Sequence, residues 1–131
     1  LDFGHWVAHK LEQISDFRIG HGDAVAIGLA VDLTYSAKIG LIKKSSTERC
    51  LRLLEKLGFR LFDEFLVTLS DNRTEVILDG LEEFREHLGG ELTITLIQGI
   101  GEGVEVHAMD KKKILDSVED LRKREIALRK I

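Results

Sequence analysis

The first forty residues, LDFGHWVAHKLEQISDFRIGHGDAVAIGLAVDLTYSAKIG (residues 1–40), decide the fold. Phe3, Trp6, Val7, Leu11, Ile14 and Phe17 recur in steps of three and four, which predicts an amphipathic helix over residues 3–17. Asp2 stands where a capping carboxylate belongs. A short connection follows over residues 18–22, broken by Gly20 and Gly22. Residues 23–39 are then apolar on nearly every side and carry few charges. A helix of that kind is a central one, covered by its neighbours on most sides. Its small residues Ala24, Ala26, Gly28 and Ala30 allow other backbones to come close.

Working outward, Gly40 marks the end of the central helix. Ser45, Ser46 and Thr47, with Glu48 behind them, predict the cap of a third helix over residues 47–57, stopped by Gly58. Residues 59–69 are mixed, fitting either an extended segment or a helical turn. Residues 70–72 can cap a fourth helix over residues 73–88, ended by Gly89 and Gly90. The apolar period then falls from 3.6 to 2. Leu92, Ile94 and Leu96 alternate with Thr93, Thr95 and Ile97, and a second alternating run covers residues 104–107. Together they predict a β-hairpin turned by Gly101 and Gly103. Asp110 caps a last, strongly charged helix that runs to the end. The expected fold is mainly α: a helical bundle-like domain with one small β-hairpin, without internal repeats or a flexible linker.

The totals agree. At 131 residues the chain is one domain long, with 44% hydrophobic and 32% charged residues and a net charge of −4. That mild acidity argues against a nucleic-acid or anionic-membrane partner, which would call for clustered Lys and Arg. No apolar run reaches the ~18 residues of a membrane span, and no signal peptide is visible. The single cysteine, Cys50, excludes an internal disulfide, fits a reducing compartment and reads as a small buried hydrophobe. The expected location is cytoplasmic. The chain lacks an initiator Met and opens inside its densest motif, so it is expected to be a piece of a longer protein.

Three of the five histidines lie in the opening stretch. His5 and His9, four apart, share a helix face, and His21 is delivered by the next turn. Spacing alone makes these three candidate ligands of a divalent metal, with Glu12 or Asp23 as a carboxylate. The competing reading is a surface or core coincidence. His87 and His107 are isolated and read as structural or solvated. The GIGEG segment lies between two strands, so it reads as a hairpin turn rather than a phosphate loop.

The stretches Leu1-Asp2-Phe3-Gly4-His5-Trp6-Val7-Ala8-His9-Lys10-Leu11-Glu12 and His21-Gly22-Asp23-Ala24-Val25-Ala26-Ile27-Gly28-Leu29 carry a resemblance. They are similar to the L-N-x-G-H-x-x-G-H-x-x-E and H-G-E-A-V-A-I-G-M motifs of 3-dehydroquinate synthases and the wider sugar phosphate cyclases. The later run Leu92-Thr93-Ile94-Thr95-Leu96-Ile97-Gln98-Gly99-Ile100-Gly101 resembles that family's late hairpin. The resemblance implies the C-terminal, mostly helical, metal- and substrate-binding domain over residues 1–131, with an N-terminal NAD-binding domain outside this chain. It implies zinc or another divalent metal on His5 and His21, with a glutamate ligand lying upstream. His9, by the same resemblance, faces the substrate and is not a ligand. Asp2 joins His9 as a catalytic, substrate-facing residue.

The implied reaction is that of a carbon–oxygen lyase of the shikimate pathway and aromatic amino acid biosynthesis. It oxidises an alcohol with NAD, eliminates phosphate, reduces the ketone and closes a ring from a phosphorylated heptulosonate. The implied partners are that sugar phosphate, the chain's own N-terminal domain and a homodimer mate, and the chain by itself is expected to be inactive. Two departures bear on substrate. Asp2 replaces the family asparagine, and a carboxylate there repels an anionic group. The family lysine expected before the glycine pair is missing from Phe84-Arg85-Glu86-His87, leaving Arg85 as its candidate substitute. A cyclase acting on a heptulose phosphate without a carboxylate is therefore an alternative. A non-catalytic helical module that keeps the histidines is another.

Overall fold

The computed structural model describes residues 3–99 and 102–129. Five α-helices, α1 (His5–Ile14), α2 (His21–Lys38), α3 (Lys44–Lys56), α4 (Asp79–His87) and α5 (Lys111–Arg129), are joined by short 3-10 turns and one hairpin. The hairpin strands are β1 (Ile94–Gly99) and β2 (Glu102–Val106). They pair antiparallel with Ile94 opposite Val106, and a bulge interrupts the register between Ile97 and Gly99. The mainly helical fold with one small hairpin is as the periodicity predicts.

α2 is the axis. It packs against α1, α3, α5 and β1, while α4 lies on the far side of α1. Ala24, Ile27, Ala30 and Val31 of α2 share one core with Trp6, Val7 and Leu11 of α1 and with Ile94 and Leu96 of β1. Ile114, Val118 and Leu121 of α5 close the same core. Burial of this apolar surface is the main term holding the domain together.

Several boundaries differ from the sequence expectation, for identifiable reasons. The first helix stops at Ile14 rather than residue 17, because Asp16 and Phe17 are left-handed, at φ 54° and 60°. That turn leaves Phe17 exposed. The second helix begins at His21 itself, so His21 is the first helical residue rather than part of a loop. The third begins at Lys44, which puts Ser45, Ser46 and Thr47 inside its first turn; none caps it, and Thr47 Oγ1 donates to the Leu33 carbonyl instead. The fourth begins only at Asp79. Residues 70–74 form a tight turn in which Thr74 N–H donates to Ser70 Oγ, and Arg73 is left-handed at φ 60°. Gly103 lies in β2 opposite Ile97 rather than in the turn, and Gly101 falls outside the described residues. The cap expected at Asp110 is present: its Oδ1 accepts the Lys113 N–H at 3.2 Å.

Candidate functional site

The site grows from the contact between α1 and α2. Gly4, the residue preceding α1, has φ 76°, and a Cβ there would come within 2.7 Å of the Leu29 backbone nitrogen. A Cβ on Gly28 would collide with the Gly4 carbonyl. Only glycine fits on either side of this backbone contact. Directly beneath it lies the fully buried Asp32, the one charged residue between Ala24 and Ala37. Its carboxylate accepts the Gly4 N–H at 3.0 Å and the Trp6 indole N–H at 3.1 Å. Burial pushes this carboxyl up to about 7 against the pull of those two bonds.

Above the contact, His5 opens α1 and His21 opens α2. Their ring centres lie 6.4 Å apart, and those of His5 and His9 lie 5.0 Å apart. Glu12, at the end of α1, places its Oε1 2.8 Å from His21 Nδ1. A carboxylate only accepts, so that nitrogen carries a proton, and in the neutral imidazole the lone pair is then on Nε2. Carboxylate, imidazole and open nitrogen in line is the arrangement that orients metal-ligating histidines. Two imidazoles on one tetrahedral ion, each at ~2.1 Å, have ring centres roughly 5 Å apart. The His5–His21 spacing is therefore slightly wider than ligation requires. Among the described residues no three His, Cys, Asp or Glu side chains converge closely enough to hold an ion.

A cleft of about 400 Å³ opens beside the histidines, between α1 and α4. His5, His9 and Gln13 line one wall, Phe84, His87 and Leu88 the other, with Trp6 and Gly80 at the back. Lys10 also reaches it, but its ammonium is bound to both oxygens of Glu83, at 2.7 and 3.0 Å. Arg85 does not line the cleft; its guanidinium holds Glu82 and the Gly90 carbonyl. Asp2 lies outside the described residues.

Sequence reasoning placed His5, His9 and His21 in one neighbourhood, and the structure brings them together. His87, read as structural or solvated, is exposed, and it stands on the α4 wall of the cleft. Asp32 and the Lys10–Glu83 pair were missed. A lone carboxylate in an apolar helix was the signal available for Asp32. Partners 73 positions apart left none for Lys10 and Glu83.

Comparison with known proteins decides the family. Residues 1–78 match the 3-dehydroquinate synthase C-terminal family. The chain belongs to that family. It is 30% identical to a 3-dehydroquinate synthase from Chlorobium luteolum over 125 residues, covering 92% of this chain and 33% of the relative. It is 37% identical over 105 residues to a 2-epi-valiolone synthase from Stigmatella aurantiaca, covering 79% of the chain and 24% of that relative. Among solved structures it is similar to ValA, a 2-epi-5-epi-valiolone synthase from Streptomyces hygroscopicus subsp. jinggangensis with NAD+ and Zn2+ bound. That match has a TM-score of 0.80 at 24% identity over 94% of this chain and 32% of ValA. The chain thus spans about a third or less of the length of these relatives. The 3-dehydroquinate synthase C-terminal fold predicted from the motifs is the fold observed, and no described helix is long and apolar enough to cross a membrane.

Proposed function

We propose that residues 1–131 form the metal- and substrate-binding part of an NAD- and zinc-dependent sugar phosphate cyclase, working with an NAD-binding domain. The observation that carries this reading is the His5–His21 pair at the starts of α1 and α2, with Glu12 orienting His21. The donor set suits zinc: two imidazoles, with a third ligand taken from the NAD-binding domain and one position left for substrate. When bound, zinc would act as a Lewis acid on the substrate's oxygens and NAD would exchange the hydride.

The chain's own residues have separate tasks. His5 and His21 hold the ion, and Glu12 keeps the His21 proton on Nδ1. His9, one helical turn from His5 and on the cleft wall, holds or moves a substrate hydroxyl proton. Asp2 sits three residues before His5 in the motif and serves the same substrate face. Phe84 and Leu88 line the opposite wall and limit water.

For the substrate, we favour a heptulose phosphate without a carboxylate over a heptulosonate phosphate. Lys10, the only cation on the described cleft wall, is already neutralised by Glu83, and Arg85 faces elsewhere. Both substrates carry a phosphate; the carboxylate would add a second anion to a described wall with no free positive partner, and burying a further unpaired anion is costly. The second reading, a heptulosonate phosphate, is favoured by the family match itself.

The test is phosphate release by the protein joined to its NAD-binding domain, supplied with NAD, zinc and heptulose phosphates with and without the carboxylate. Release is expected, faster with the substrate that lacks it. Faster release from the heptulosonate supports the second reading. Release from neither overturns cyclase function and favours a non-catalytic module. Turnover by the 131-residue chain alone would contradict the need for the second domain.

A further inference from the structure

We propose that Asp32 is a positioning residue for the histidine pair, clamping the first turn of α1 through the Gly4 N–H and the Trp6 indole N–H. Nothing in the reaction outlined above uses this carboxylate, yet it is fully buried in the middle of an otherwise apolar helix. A carboxylate in such a place persists only with partners. Its two partners are chosen tellingly: they are the residues on either side of His5 in sequence.

Among the described residues neither N–H has another acceptor. Gly4 precedes α1 and has no side chain, and no side-chain hydrogen bond caps the helix. Its N–H is one that the helix itself leaves free. Trp6 is buried, its ring borders the cleft, and its Cε3 lies 3.4 Å from where a Cβ on Gly80 of α4 would stand. One carboxylate therefore fixes the backbone before His5 and the ring after it. With Gly28 pressed against the Gly4 carbonyl, the start of α1 has no freedom to slide along α2. The direction in which His5 leaves the helix toward His21 is set from below. Groups that orient ligands without touching the ion typically change metal affinity by 10- to 100-fold when removed.

The orienting role stands on this geometry alone; its consequence for ligation rests on the metal reading above. The experiment keeps the two apart. The 131-residue chain, its D32N variant and its W6F variant are compared by NMR and then titrated with Co2+ as the probe metal. In the parent chain the Gly4 amide is expected to exchange slowly and the indole resonance of its single tryptophan to lie downfield. D32N, which keeps one accepting oxygen and sets an amide N–H against the other donor, is expected to abolish at least one of the two signatures. It should also move the ring resonances of His5 while leaving those of His107 on the hairpin unchanged. W6F removes one donor only: it should move His5 while the Gly4 amide, still bonded to Asp32, stays protected, and this is read without D32N. Where the parent binds Co2+, D32N is expected to weaken it 10- to 100-fold. Unchanged Gly4 protection and His5 resonances in D32N would overturn the positioning role. His5 shifts together with no Co2+ binding by any protein would uphold that role and count against the metal reading instead.

Discussion

The two sides of α2 are held by opposite means. Toward α1, Gly4 and Gly28 touch backbone to backbone and Asp32 is sealed beneath them, with no room for an added methyl group. On the side of α3 and α5, Arg124 of α5 ties that helix to α3 through bidentate pairs with Glu48 and Glu55, and Lys38 of α2 reaches Asp120 of α5. Long, partly solvated side chains there can readjust. The rigid contact lies under the histidines and the adjustable one lies away from them. In the proposed reading, the histidine geometry that would hold a metal is set by backbone and buried carboxylate, while the far side is joined by a surface that tolerates change.

The sharpest break in that contrast comes from G28A. The new methyl group has only the Gly4 carbonyl to meet, so the helices must separate, at a cost of more than about 3 kcal/mol. Thermal denaturation should show the variant melting far below the parent, whereas Gly40, where a Cβ meets nothing, is constrained only by its φ of 81°.

Next in size is a pH effect tied to Asp32. Its folded carboxyl is pushed up to about 7 by burial, well above the ordinary carboxylate value, so the folded state keeps the proton longer than the unfolded chain. The associated stability is complete below about pH 4 and is lost as pH rises through 7. A shift of this size corresponds to about 4 kcal/mol. Chemical denaturation between pH 4 and 8 should show this decline in the parent, and D32N should lack it. A parent profile parallel to that of D32N would mean that the carboxylate is not sealed.

How much of this was legible beforehand follows the same divide. Period and apolar composition are local properties, and they gave the helices, the central position of α2 and the hairpin. They failed where the backbone departs from its usual regions: at Asp16 and Phe17, and at Arg73, left-handed positions that no glycine announces. The capping expected of Ser45, Ser46 and Thr47 failed because α3 starts one residue upstream of that cluster. At the site, His5, His9 and His21 were readable because spacing and motif coincide. The cleft-wall position of His87 and the Lys10–Glu83 pair were not, because only the folded chain sets α4 beside α1.

The adjustable side should respond more mildly. R124A removes two bidentate pairs from a half-buried guanidinium and is expected to cost about 1–2 kcal/mol at low salt, shrinking in 1 M NaCl. Arg124 holds the Glu48 carboxyl below its usual range. That contribution is therefore present above the ordinary carboxylate range and is lost as pH falls through the lowered value. Urea titrations should show R124A losing part of the parent's acid sensitivity below about pH 4.5. A larger loss than that of G28A would reverse the assignment of rigid and adjustable sides.

The central claim is that the rigid contact presents His5 and His21 to one ion. It is tested most directly by anomalous diffraction at the zinc edge from crystals grown with zinc. The account predicts a single strong peak about 2.1 Å from a ring nitrogen of each histidine, with the rings drawn closer than 6.4 Å. A peak bound elsewhere, or no peak while the two rings keep their present separation, would contradict it.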